Sequence, residues 1–334
     1  MRILLNSRAF YPMMGGLEVI TQQLAEEWAT RGHEVKVWTQ APLGDAVELT
    51  TLSVVRAPSF RETLRLTAWS DVVVYSGITL RDLLPAFAPR QRPVVFVHHG
   101  MMEYREGYSR RLVDLKRIAS RLGMNIAVSQ AVAQTVPGGA HVIPNAFRPG
   151  FESIVRAPEM LLCVGRLVSD KGVDVLIRAL ALLHDQGHAL ALKICGDGPD
   201  SSSLKALASN LGLSESVSFA GWTPPNLLRQ CYARASAVVI PSRHEPFGIV
   251  ALEAIAANVP VVASNVDGLP ESVGPCGVLV PPDDPAALGR GIIEALKPER
   301  DVAFRAAAPA HLERHQISRV AEEYLDVIGS VVRT

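Results

Sequence analysis

Short β-branched runs alternate along this chain with stretches in which apolar residues recur every 3.6 positions, a pattern that predicts an α/β architecture built on parallel sheets. Arg2 to Asn6 reads as the first strand, followed by a loop reaching Gly15-Gly16 and a helix carrying Leu17, Ile20, Leu24 and Trp28 that Gly32 stops. Glu34 to Thr39 is the next strand. After two segments whose pattern decides nothing, Asp71 to Tyr75 and Pro93 to Val97 read as buried parallel strands, and Asn125 to Ser129 and His141 to Ile143 as further ones. Pro144-Asn145 closes a first domain of residues 1–150, with the polar, proline-bearing stretch Arg148 to Pro158 as its linker.

The alternation then restarts for a second domain of residues 151–314. Met160 to Val164, Leu190 to Ile194, Val217 to Ala220, Ser236 to Ile240, Val259 to Ala263 and Gly277 to Val280 read as strands. Helices are expected after Lys171-Gly172, over Leu227 to Ala233, over Gly248 to Ala257, and from Asp284 to about Leu296. Residues 311–331 keep helical spacing through Leu312, Val320, Tyr324, Val327 and Val331.

Candidate chemistry gathers where strands end, since side chains at the carboxyl edge of an open α/β sheet face its ligand crevice. Gly165-Arg166 and Lys171 stand five residues apart, in a strand-to-helix loop, as a cradle for two adjacent phosphates. Cys195-Gly196-Asp-Gly-Pro199 clears space at the same edge. Glu245-Pro246-Phe247-Gly248-Ile249 opens a helix whose first-turn amides favour an anion, and Glu245 and Glu253 bracket that turn. At an anion site such carboxylates suit sugar hydroxyls better than phosphate; taken singly, each also reads as an ordinary surface acid. Trp222 either flanks a base or caps the core. His98-His99-Gly100 ends a strand, which suits a site role, a structural role or a metal, and no further metal ligands accompany it. Gly15-Gly16 fits a close ligand approach or a plain turn equally well.

Length and composition narrow the classes. A chain of 334 residues with 48% apolar content suits two cores. Lys+Arg and Asp+Glu balance at 33 each, and the absence of a basic tail, a basic aromatic stripe or zinc spacing gives nucleic-acid binding no support. The four cysteines lie far apart, as in a reduced cytoplasmic protein. No apolar run approaches a membrane span. Arg105, Arg110, Arg111, Lys116, Arg117 and Arg121 crowd one helical stretch with Leu112, Leu115 and Ile118 among them, which suits either an anionic membrane surface or a solvated helix face.

With Arg166/Lys171, Gly196-Asp-Gly-Pro199, Pro241-Ser242, Glu245-Pro-Phe-Gly248, Glu253-Ala254 and Pro260-Val-Val-Ala263 placed, the chain resembles the family-4 retaining glycosyltransferases over nearly its whole length. The likeness extends to Glu18, Ser129, Pro144-Asn145 and the run from Gly277 to Asp283. It implies the GT-B fold, two Rossmann-like domains facing each other across a cleft, with the C-terminal helix of about residues 315–334 packing back on the first. It also implies a nucleotide-diphosphate sugar donor and no cofactor or metal. Carried over by position, Arg166 and Lys171 would hold the donor diphosphate, Glu253 the ribose, and Glu245 with the amides of Phe247, Gly248 and Ile249 the sugar and phosphate. His98 would sit near the reacting sugar and Gly16 at the acceptor side of the diphosphate, with His98, Arg166, Lys171 and Glu245 forming the catalytic group. The resemblance pictures front-face attack with no protein nucleophile, and the Asp-any-Asp metal motif of the other major glycosyltransferase fold is missing. Ala146, Asn258 and Asp267 stand where the family generally has glycine; Asn and Asp tolerate positive φ and can keep the turn. The nearest rivals are a sugar-nucleotide epimerase or phosphorylase on the same architecture and a non-catalytic sugar-nucleotide binding protein. A phosphorylase would need a pyridoxal lysine, which nothing marks.

Overall fold

A computed structural model describes residues 1–13, 15–87, 92–103, 109–147, 150 and 160–333. It comprises two compact units, Met1–Ala146 together with His315–Thr334, and Phe147–Arg314. The expected linker lies outside the described residues except for Gly150.

The first unit carries a seven-stranded parallel sheet of β1 (Arg2–Ser7), β2 (Glu34–Thr39), β3 (Ser53–Arg56), β4 (Val72–Ser76), β5 (Val94–His98), β6 (Met124–Ala127) and β7 (His141–Val142), in the order β3-β2-β1-β4-β5-β6-β7. Its central strands are buried on both faces, Val72, Val73, Val74 and Tyr75 to 0% exposure, which is why they read as unbroken apolar runs. The helices are α1 (Gly16–Thr30), α2 (Phe60–Trp69), α3 (Arg110–Ala119) and α4 (Gln130–Thr135). The two undecided segments resolve into β3, a half-buried edge strand, and α2, which a reciprocal Ser59/Glu62 capping box starts. Ser129 is no longer in the strand. Its hydroxyl accepts the Val132 N–H and caps α4, the commoner use of serine before a helix.

The second unit carries six parallel strands, β8 (Met160–Val164), β9 (Ala191–Cys195), β10 (Val217–Gly221), β11 (Ala237–Ile240), β12 (Val261–Ser264) and β13 (Gly277–Val280), ordered β10-β9-β8-β11-β12-β13. Between them run α5 (Val173–Asp185), α6 (Ser201–Asn210), α7 (Pro225–Arg234), α8 (Ile249–Ala256), α9 (Leu269–Val273), α10 (Pro285–Ala295) and α11 (Pro298–Glu313). One core packs β8, β9 and α5 with α6 and α10, and a second covers the other sheet face with α7, α8 and α11.

The helical spacing over 311–331 is interrupted. α11 ends at Glu313, residues 314–316 turn, and α12 (Ile317–Val332) follows as part of the first unit. There Trp28 Nε1–H donates to the Ala321 carbonyl at 3.2 Å, Tyr324 stacks obliquely on Trp28 at 6.1 Å, and His315 Nδ1 meets the Asn145 carbonyl at 2.9 Å. A carbonyl only accepts, so His315 carries its proton on Nδ1.

Both sheets are doubly wound. Strand order reverses between β1 and β4 in the first unit and between β8 and β11 in the second, and the loops leaving those strands splay apart to leave a crevice. In the second unit these are the loops that begin at Gly165 and Pro241.

Candidate functional site

The two loops at the β8/β11 switch point are fastened together. Gly172 has φ +60° and a Cβ there would collide with the Pro241 carbonyl, so only glycine lets the turn of residues 169–171 lie against the strand end. The Asp170 carbonyl accepts the N–H groups of Arg243 (2.8 Å) and His244 (3.2 Å). Across this seam Lys171 Nζ bonds Glu245 Oε2 at 2.5 Å. The aliphatic part of Lys171 passes 4.0 Å from where a Gly165 Cβ would stand, which puts it beside the strand end that carries Arg166. Arg166 is exposed and makes no ion pair among the described residues.

Glu245 is gripped from the other side. Its N–H donates to Asp267 Oδ2 at 2.9 Å, and its carbonyl accepts the Gly268 N–H at 3.0 Å. Asp267 (φ +45°) and Asn258 (φ +56°) both keep positive φ, so these two departures from glycine preserve their turns, and at 267 the carboxylate adds a hold on the loop that glycine could not. Pro246 and the buried Phe247 lead to Gly248 (φ +96°), the left-handed residue from which α8 starts. The Ala251 N–H closes the first turn on the Gly248 carbonyl at 2.9 Å, and the start of α8 carries the positive end of its dipole.

Glu253 lies one turn deeper. It is 1% exposed, and the fully buried Tyr232 on α7 donates its hydroxyl to Glu253 Oε2 at 2.8 Å. A surface acid is thereby excluded. Gly196, at the end of β9, donates its N–H to the Gly221 carbonyl at 2.8 Å and aligns that loop with the end of β10. Trp222 follows at 64% exposure, which removes the reading in which it caps the core.

Sequence reasoning missed Arg243. Its guanidinium forks onto both oxygens of Asp174 at 2.9 Å, reaches Asp283 at 2.6 Å and donates to the Ser169 carbonyl at 2.7 Å. One side chain thus ties the Lys171 turn, the start of α5 and the loop after β13. The hydrogen bonds from Arg243 hold the Asp174 carboxyl below the usual carboxylate range. Tyr232 was missed as well; lying twenty-one positions from its partner, it left no periodic signal. Ser242 Oγ is buried with no hydrogen-bond partner among the described residues.

In the first unit His98 ends β5 at 5% exposure with Nε2 on Asn125 Oδ1 at 2.8 Å. His99 Nε2 meets Ser76 Oγ at 3.0 Å, and Ser76 Oγ meets Thr21 Oγ1 at 3.2 Å. Burial lowers the pKa of both imidazoles, that of His99 to about 3, so both rings are neutral at pH 7. Among the described residues no cluster of three or more His, Cys, Asp or Glu could hold a metal. Gly16 is the first residue of α1, whose entry is overlaid by its own Glu18 carboxylate: a Cβ on Gly15 would collide with it.

Of the expected site residues, then, Gly165, Lys171 and Glu245 to Gly248 come together at one switch point beside Arg166, with Glu253 behind them. His98 and Gly16 stand at strand and helix ends of the other unit.

Each unit is Rossmann-like, a doubly wound parallel sheet, and one of them carries cations and a helix start at its switch point. Residues 150–311 match the family described as Glycosyl transferases group 1, and residues 14–151 match Glycosyltransferase Family 4. The chain belongs to this family. It is 31% identical to the D-inositol 3-phosphate glycosyltransferase of Frankia alni over 81% of this chain and 83% of that one. It is 37% identical to the uncharacterized glycosyltransferase MJ1607 of Methanocaldococcus jannaschii, over 51% of this chain and 44% of the relative. Among solved structures, Anabaena HepE in complex with UDP and glucose superposes with TM-score 0.81 at 23% identity, covering 99% of this chain and 100% of that one.

Proposed function

We propose that this glycosyltransferase is a retaining hexosyltransferase that takes its sugar from a nucleotide-diphosphate donor, delivers it to a hydroxyl acceptor, and needs no metal. The observation that carries this reading is the meeting of Lys171, Glu245 and the Gly248 helix start at the β8/β11 switch point. As a glycosidic bond lengthens, charge grows on the departing diphosphate. Fixed cations and helix-start amides at that spot stabilise the transition state more than the ground state. In this reading Arg166 and Lys171 hold the diphosphate and stand in for a metal's charge. Glu245 with the amides of Phe247, Gly248 and Ile249 takes the sugar and its phosphate; Glu253 takes the ribose, and Trp222 flanks the base. Gly165, Gly196 and Pro246 shape the loops around them, while His98 serves the reacting sugar and Gly16 the acceptor side. The UDP and glucose bound to HepE support a nucleotide-sugar donor. The names of the inositol phosphate relatives make a phosphorylated polyol the first small acceptor to try, beside glycans and lipid-linked saccharides.

The working place in this reading is the cytoplasm, against an anionic membrane. No described helix is long and apolar enough to cross one. On and just beyond α3, however, Leu112, Leu115, Ile118 and Leu122 are 42%, 50%, 59% and 54% exposed beside Arg111 and Arg121, an apolar row with a basic border that suits a lipid interface. Arg105 lies outside the described residues.

A thermal-shift screen of UDP, GDP, ADP and TDP sugars, followed by mass spectrometry of products and anomer assignment by NMR, tests the reaction. The reading expects one stabilising donor, an acceptor-linked product of retained anomeric configuration, and turnover indifferent to EDTA. An epimerised donor formed without acceptor would favour the epimerase instead. Sedimentation with phosphatidylglycerol vesicles, weakened by salt, is expected for the membrane contact; equal sedimentation with neutral vesicles rejects it.

A further inference from the structure

Asn125 fixes where the proton on His98 sits. Asn125 stands at 8% exposure on β6, and its Nδ2 donates to the Ser120 carbonyl at 2.9 Å and approaches the Gly123 carbonyl at 3.3 Å. Carbonyl oxygens only accept, so the amide must turn its NH2 toward them; the flipped amide would set oxygen against two oxygens. Oδ1 is then left for His98 Nε2 at 2.8 Å, and because an amide oxygen only accepts, Nε2 must carry hydrogen. In the neutral ring the lone pair therefore belongs to Nδ1, which makes no hydrogen bond among the described residues. The anchor is stiff. Ser120 and Gly123 belong to the tight turn between α3 and β6, and Gly123 is pressed so closely on the Val94 carbonyl that a Cβ there would collide with it.

We propose that Asn125 is a positioning residue which locks His98 as its Nε2–H tautomer, so that His98 meets a substrate hydroxyl as a hydrogen-bond acceptor through Nδ1. Only the second half, the substrate contact, rests on the reading that His98 serves the reacting sugar. The titratable neighbour of the ring is His99, itself neutral, and no carboxylate or cation acts on His98 among the described residues. Burial holds the ring neutral at pH 7, as the acceptor role requires.

The first test uses the ligand-free full chain labelled with 15N in its histidine rings, with His98→Gln assigning the signal. At pH 7 the spectrum is expected to show protonated Nε2 and bare Nδ1. An Nδ1–H ring, or one protonated on both nitrogens, overturns the tautomer. The second test is Asn125→Asp, which sets a carboxylate against Nε2. It is expected to raise the His98 pKa by about 1 unit or more and to carry the acid limb of kcat/KM upward by the same amount, because a protonated Nδ1 can no longer accept. A limb that stays in place while the His98 signal moves overturns the substrate contact. If wild-type protein turns over no nucleotide sugar, the proposed function fails on its own, and the ring spectrum, read without substrate, still decides the tautomer.

Discussion

The crevices of the two units are built from opposite materials. At the β8/β11 switch point charge is abundant and, Arg166 apart, paired: Lys171 with Glu245, Arg243 with Asp174 and Asp283. At the end of β5 in the first sheet the ionisable groups are His98 and His99, kept neutral by burial and bonded to neutral partners, Asn125 and Ser76. The paired charges hold the geometry of the polar loops, which the proposed function assigns to an anion. In the proposed reading the neutral rings suit hydroxyls, and they remain sensitive to any charge brought near.

The sharpest way to break this contrast is to remove the cation at the seam. Lys171→Ala is expected to lower kcat by about 100- to 1000-fold, the scale seen when one preorganised transition-state group is lost, while circular dichroism and the melting temperature stay close to wild type. Loss of turnover through unfolding, or unchanged turnover in a folded variant, would contradict the assignment. Arg243→Lys probes the scaffold behind it. A lysine cannot fork onto Asp174 while reaching Asp283. Since Asp283 is half exposed, the expected loss is only about 1–2 kcal/mol in urea unfolding, together with a rise in KM for the donor.

In the first unit the lever is pH. His99 titrates at about 3 in the folded chain and at about 6.5 when unfolded. Between those values the unfolded chain binds a proton that the folded chain refuses, so stability is present above about pH 6.5 and declines as pH falls below it. Urea unfolding at pH 5 and pH 7 should show the drop, at most about 1.4 kcal/mol per pH unit from this ring, and His99→Gln should flatten it. An unchanged slope would mean that the ring is solvated. The smallest effect is expected at Ser242→Ala. A hydroxyl with no partner among the described residues stabilises little, and its removal should shift unfolding by less than about 0.5 kcal/mol.

Most of the strands were legible because buried parallel strands announce themselves as short β-branched runs, and the candidate site residues fall where those runs stop. What stayed hidden was whatever acts across sequence. Arg243 sits between the Pro241-Ser242 and Glu245 motifs, yet its partners at 169, 174 and 283 are distant in the chain, and a lone arginine between serine and histidine gives no hint of a fork. The same holds for Tyr232 on Glu253 and Asn125 on His98. α11 escaped notice because it buries only Phe304, Ala308 and His311, too thin a stripe for periodicity to reveal. The apolar row of α3 was visible, but only exposure shows that it faces outward.

In the proposed reading, the resting bond between Lys171 and Glu245 makes donor binding an exchange rather than a simple capture. Any anion that enters trades places with a tethered carboxylate, so its measured affinity is a difference between two attractions, and weak anions such as inorganic phosphate gain little there. When a guest departs, the same carboxylate returns to the ammonium at a local concentration no solute can match, and the site empties itself.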